Sequence, residues 1–179
     1  HHDVRDFMHR AFAIFLTVFL ISDVGAVYAS RNLQIIAQQK QTQPDATRAE
    51  ALKLIQEGLQ LFKQGSKESL LAARKKWETA LVLWEKLGDK SWQATTLNNI
   101  GQVYSDLGEK QKALSYYNQA LPLYRAVGNQ SGEATILNNI GSIYSDLGEK
   151  QKALSYYNQS LPLYRAVSDK GGEATTLNN

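Results

Sequence analysis

The side chains best suited to chemistry recur at a fixed interval. Asp106 and Glu109 are carboxylates three positions apart, and Asp146 and Glu149 repeat the pair forty positions later. Two nearby carboxylates can act as acid and base, or acid and nucleophile, in glycoside cleavage. Here each pair straddles a single glycine, Gly108 or Gly148, where acidic residues serve as caps and loop residues at helix ends. Little else is on offer. His1, His2 and His9 are the three histidines and cysteine is absent. Beyond residue 9, therefore, neither a Ser-His-Asp nor a Cys-His arrangement can form, and a zinc site would rest on carboxylates alone. The glycines stand singly, so no glycine-rich loop cradles a phosphate. The sequence predicts no enzyme, no cofactor and no metal site.

Amides form a second recurring set. The stretch Leu97-Asn98-Asn99-Ile100-Gly101 returns at 137–141 and begins again at Leu177-Asn178-Asn179. Two adjacent amides among apolar neighbours can donate to and accept from a peptide group, or bond to a neighbouring helix. Trp77, Trp84, Trp92 and the pair Tyr116-Tyr117 could stack on bases, but their helical spacing and apolar company assign them to a core. Charge agrees: 20 basic and 17 acidic residues leave a net +3, interspersed rather than blocked. No nucleic-acid partner is predicted.

These residues are positioned by a repeat. Residues 94–133 and 134–173 differ at eight of forty positions, and 72–94 aligns without a gap on 112–134. Self-similarity at such a period marks a stacked array. In each unit Leu97, Ile100, Gly101, Tyr104 and Leu107 share one helical face, as do Ala113, Tyr117, Ala120, Leu121 and Tyr124. Gly108 and Gly128 suit the left-handed residue that closes a helix, and Asn129, Asp89 and Asp169 are placed as N-caps. Glycine inside a helix costs about 1 kcal/mol relative to alanine. Gly101 is therefore expected where helices approach closely, opposite Ala113 or Ala120. Pro122 and Pro162 lie within second helices and predict a kink. The result is an all-α chain of stacked antiparallel helical hairpins: a diverged unit at 49–91 with a longer loop near Gly65-Ser66, units at 92–131 and 132–171, and the start of a further, truncated unit at 172–179.

The front of the chain is different. Arg5, His9 and Arg10 precede the apolar run Ala11–Ile21, followed by Val27-Tyr28-Ala29. This is the pattern of a secretory signal peptide over 1–29, cleaved after Ala29, with Met8 as an alternative start. Eleven apolar residues are about half of the roughly 20 needed to span a bilayer. An exported, periplasmic or secreted protein is expected, free of the membrane once cleaved. Residues 30–48, with Gln34, Gln38, Gln39, Gln41 and Gln43, read as a Gln-rich tether.

The repeats resemble the tetratricopeptide repeat, in the long variety of kinesin light chains and bacterial multi-repeat proteins. The resemblance rests on Leu97, Ile100-Gly101, Tyr104, Ala113, Tyr117, Ala120 and the matching set from Leu137 to Ser160. It implies a right-handed α-solenoid whose concave wall, made by the first helices, holds a peptide or partner protein. Carried over by position, the wall comprises Thr95, Asn98, Asn99, Gln102, Ser105 and Asp106, then Thr135, Asn138, Asn139, Ser142, Ser145 and Asp146. In peptide-binding relatives the second Asn of each pair grips the ligand backbone. Lys or Arg of a carboxylate clamp is absent. The wording of the repeats is also similar to bacterial arrays that precede a caspase-like CHAT domain. That likeness implies, as alternatives, a recognition arm for a downstream catalytic domain or a structural spacer.

Overall fold

A computed structural model describes residues 30–38 and 42–179; the expected signal peptide lies outside the described residues. The chain divides into two units, residues 1–46 and 47–179. Within the first unit, 30–38 and 42–46 are helical. The stretch expected to be a tether is thus largely helix among its described residues. Gln is a good helix former, and Pro44 falls in the first turn of the helix over 42–62, where its missing N–H costs nothing.

The second unit is an array of seven helices. They are α1 (47–62), α2 (Lys67–Leu87), α3 (Lys90–Asp106), α4 (Lys110–Ala126), α5 (Gln130–Asp146), α6 (Lys150–Ala166) and α7 (Lys170–Asn178). Each packs on the next, and α3 also touches α5 as α5 touches α7. The first helices of successive pairs are therefore direct neighbours. This arrangement is an α-solenoid of antiparallel hairpins.

Caps form where the sequence places them. The side chains of Asp89, Asn129 and Asp169 accept from the backbone N–H of Trp92 (3.1 Å), Gly132 (2.8 Å) and Gly172 (2.9 Å). Gly65, Gly88, Gly108, Gly128 and Gly148 all take positive φ at helix ends. At the end of α6 the residue is Ser168, with φ 58°, the one non-glycine residue of this kind among those described. Left-handed backbone costs an L-residue about 1–2 kcal/mol, offset in part by glycine's larger unfolded-state entropy. Ser168→Gly is accordingly expected to raise stability by a few tenths to about 1 kcal/mol in urea unfolding.

The packing around the helical glycines differs from the sequence reading. A Cβ at Gly101 would lie 2.6 Å from the Tyr117 ring, and one at Gly141 would lie 2.6 Å from the Tyr157 ring. The glycine therefore makes room for an aromatic ring on the second helix, which lies nearer to it than Ala113 or Ala120. Gly58 stands in the same relation to Trp77, at 2.2 Å. This lock fixes the register of the diverged unit: Gly58 corresponds to Gly101, 43 positions on, whereas Trp77 corresponds to Tyr117, 40 on. The three additional residues enter α2, which has 21 residues against 17 in α4, and only slightly lengthen the loop. A second lock was not anticipated. Gly132 and Gly172 seat the rings of Tyr124 and Tyr164, which would clash with a Cβ at either position, while the first unit stacks Trp92 on Trp84 with ring centroids 5.1 Å apart.

The core is broader than one stripe per helix. Besides Leu97, Ile100, Gly101 and Tyr104, α3 buries Ala94, Thr96 and Val103, because α2, α4 and α5 all contact it. Trp77, Trp84 and Tyr117 are fully buried, so they are core side chains and not open stacking platforms. Helices α4 and α6 run on to Ala126 and Ala166, beyond Pro122 and Pro162. Among the described residues no helix is long and apolar enough to cross a membrane.

Candidate functional site

The wall positions lie on α3 and α5, and the structure divides them by what they bond. Asn139 Nδ2 donates to Asn98 Oδ1 at 3.1 Å, across two successive first helices. One repeat later Asn179 Nδ2 donates to Asn138 Oδ1 at 3.3 Å. The second Asn of each pair thus reaches back to the first Asn of the preceding pair, forming a ladder that links α3, α5 and the end of α7. Asn138 is buried and also accepts from the Thr176 hydroxyl at 3.2 Å. Ile136 occupies the Thr176 position one repeat earlier and has no hydroxyl to give, so Asn98 lacks that contact.

Asn99 ends the ladder. By the Gly58–Gly101 register, the residue on α1 that would accept from it is Ile55, whose side chain has no acceptor. Among the described residues the Asn99 side chain makes no hydrogen bond, and it is half-buried. Of the four asparagines on α3 and α5, this amide is the uncommitted one.

The other positions are tied to the second helices by tyrosine hydroxyls. Tyr124 and Tyr164 donate to Thr95 and Thr135 at 3.3 and 3.4 Å, and these threonines donate to the carbonyls of Ser91 and Ser131. Tyr117 donates to Gln102 Oε1 at 3.3 Å, and Gln102 Nε2 donates to Asp106 at 2.8 Å. Burial, and then the Asp106 charge, push the Tyr117 hydroxyl well above its ordinary pKa; burial likewise raises Tyr124 and Tyr164. These groups remain protonated donors at physiological pH. Burial raises the pKa of the Tyr157 hydroxyl, and Ser142 and Ser145 hold it down in part. Ser145, Asp106 and Asp146 are exposed; Gln102, Ser105 and Ser142 are half-buried.

The carboxylate pairs carry no catalytic geometry of their own. Lys110 reaches from α4 to Asp146 at 2.5 Å, Lys112 pairs with Glu109 at 2.5 Å, and Lys152 pairs with Glu149. Each acid already has a cation or amide partner on a solvated edge. Among the described residues no group of three or more His, Cys, Asp or Glu side chains could hold a metal ion.

Comparison with known proteins supports this architecture. The family model described as Tetratricopeptide repeat matches residues 66–126 and 123–166. Among solved structures, the TPR domain of Arabidopsis FLU is similar with a TM-score of 0.60 at 20% identity, covering 69% of this chain and 99% of that one. The TPR2AB domain of yeast Sti1, in complex with pHSP90, gives 0.55 at 25% identity over 70% of this chain and 47% of that one. A kinesin light chain from Podosopora anserina with nearly identical TPR-like repeats gives 0.59 at 12% identity, covering 70% and 63%. This chain thus spans almost all of the first and less than two thirds of the other two. No curated protein matches in sequence.

Proposed function

The chain belongs to the tetratricopeptide repeat family, and we propose that it is a binding module that holds a peptide or partner protein on the wall of its first helices. The observation that carries this reading is the make-up of the wall. Neutral polar side chains recur there at the repeat spacing, with the Asn99 amide uncommitted and Ser145, Asp106 and Asp146 facing solvent. An amide that donates and accepts at once matches one peptide group, for about 1 kcal/mol per hydrogen bond. Sti1 offers a parallel of the same fold in complex with pHSP90. No Lys or Arg occupies the carried-over wall positions, and Asp146 is neutralised by Lys110. The ligand favoured is therefore a neutral or polar extended segment rather than a terminal carboxylate held by a cationic clamp. The module recognises and does not catalyse.

Pull-down with the whole chain tests this reading. A wall variant, Asn99→Arg with Ser145→Arg, should lose the partner that wild type captures. Gln119→Arg with Gln159→Arg, at exposed positions on α4 and α6, should keep it. Loss with the second variant and retention with the first would place the site on the other face.

Export is the accompanying proposal, supported by the basic start, the Ala11–Ile21 run and Val27-x-Ala29. In a secreting host the mature N-terminus should be Ser30 by mass spectrometry. A membrane-bound protein retaining residues 8 to 29 would replace the signal with an anchor.

A further inference from the structure

The wall changes character on its first helix. By the Gly58–Gly101 register, Thr95, Asn98, Gln102 and Ser105 of α3 correspond to Leu52, Ile55, Leu59 and Phe62 of α1. The same four positions on α5 are Thr135, Asn138, Ser142 and Ser145. Four matched sites are thus polar on two helices and apolar on the third. Leu52, Ile55 and Phe62 are half-buried against the core, whereas Leu59 is 43% exposed. Gln102 is needed to accept from the Tyr117 hydroxyl. Trp77, in the place of Tyr117, instead turns its N–H to the Ile55 carbonyl at 3.2 Å and asks nothing of residue 59.

This stripe is distinct from the face that packs on a preceding helix. On that face α5 sets Ile136, Ile140 and Ile143 in one cluster with Leu114, and the matching residues of α1 are Lys53, Glu57 and Gln60. The apolar stripe therefore belongs to the wall. Two neighbours say what would cover it. The half-buried Asn99 amide, at the level of Ile55, bonds nothing among the described residues. Lys63 takes the place held by Asp106 on α3 and Asp146 on α5. Its N–H still bonds the Leu59 carbonyl at 3.1 Å, so it follows Leu59 by one helical turn. Its side chain is exposed and makes no ion pair among the described residues. The edge of the wall is thus positive on α1 and negative on α3.

Resting on the wall reading above, we propose that α1 is the anchor section for a partner segment in which an aliphatic residue stands beside an acidic one. The aliphatic side chain lies on Ile55 and Leu59, the acid pairs with Lys63, and Asn99 takes the peptide group of the anchor. The neutral polar remainder of the segment runs along α3 and α5. Covering Leu59 removes apolar surface from water, a gain that Gln102 and Ser142 do not offer at the same position. The anchor therefore decides which part of the segment meets α1, and so fixes the ligand's register on the wall.

The probes are two fluorescein-labelled, end-blocked peptides, Gly-Ser-Asn-Ser-Leu-Glu-Ser-Asn-Ser-Gly and the same sequence with serine for leucine. Each is titrated with the whole chain and read by fluorescence polarisation. The leucine peptide should bind saturably and at least tenfold more tightly than its partner. Leu59→Gln, which installs the α3 residue at an exposed site, should abolish that preference, and Leu59→Met should keep it. Lys63→Glu should weaken the leucine peptide at least fivefold. Absence of saturable binding, equal affinity of the two peptides, or a leucine preference that survives Leu59→Gln overturns the anchor and leaves the wall reading in place. Leucine-peptide binding that Asn99→Asp leaves unchanged contradicts the wall reading itself, and the anchor with it. Concentration-dependent dimerisation of the chain alone that Leu59→Gln abolishes also overturns the proposal, because the stripe would then belong to a second copy.

Discussion

Gly101→Leu should lower the stability of the array by about 3 kcal/mol or more, read as a shift of the urea or thermal midpoint. The first added carbon already falls 2.6 Å from the Tyr117 ring, far inside contact distance. The ring is itself fully buried and cannot swing into solvent. Leucine adds three more carbons to a space that does not hold one, so the two helices must separate or Tyr117 must leave its rotamer. Two controls separate this cause from helix propensity. Gly171→Ala should be nearly neutral, because its new carbon would meet only the Asp169 carboxylate at 3.5 Å. Gly101→Ala should cost less when Tyr117 is already leucine, a coupling visible in a double-mutant cycle. A Gly101→Leu protein that melts like wild type would refute the ring-on-glycine register.

Asn99→Ala should leave unfolding unchanged or slightly improved, since its amide bonds nothing in the fold and alanine is the better helix former. Affinity for a wall-bound partner should nevertheless fall by about one to two decades, the loss of one satisfied amide contact of roughly 1 to 3 kcal/mol. Asn139→Ala should behave differently. It removes the donor to Asn98 and should cost about 1 kcal/mol of stability, because the ladder bond joins two repeats. Two asparagines identical in local sequence are thus expected to separate, one into binding and one into structure. Equal effects of the two changes on both readouts would contradict that division.

Much of the fold was legible in the sequence because the period forces it. A stripe such as Leu97, Ile100, Tyr104 must be buried somewhere, and its own copy forty residues on supplies the partner. The caps were legible for a local reason: Asp89, Asn129 and Asp169 each sit just before a helix, and their bonds run to N–H groups three residues ahead. What the glycines touch was not legible. Gly101 states that space is needed and the tyrosine stripe suggests rings beside it, while only the packing shows that the Tyr117 ring lies directly on the glycine, and Gly132 gives no stronger signal than an ordinary first-turn residue. The helical state of 30–38 was obscured by glutamines that carry no apolar period. For the wall, the positions carried over from the family resemblance fall on α3 and α5. The spacing could not show that Asn98 and Asn139 bond each other, because that bond depends on how far one hairpin is offset from the next. Nor could it show that Ile55 leaves Asn99 without a partner, since the three added residues of the first unit hide that correspondence.

The claim that matters most is that partners are held on the first-helix wall, and photo-crosslinking maps it directly. A benzophenone amino acid is placed singly at residue 99 or 142 on the wall, or at 119 or 159 on the second helices, and the whole chain is irradiated with its captured partner. Adducts are predicted from 99 and 142 and not from 119 and 159. Adducts from 119 and 159 alone, or equally from all four positions, would contradict the account.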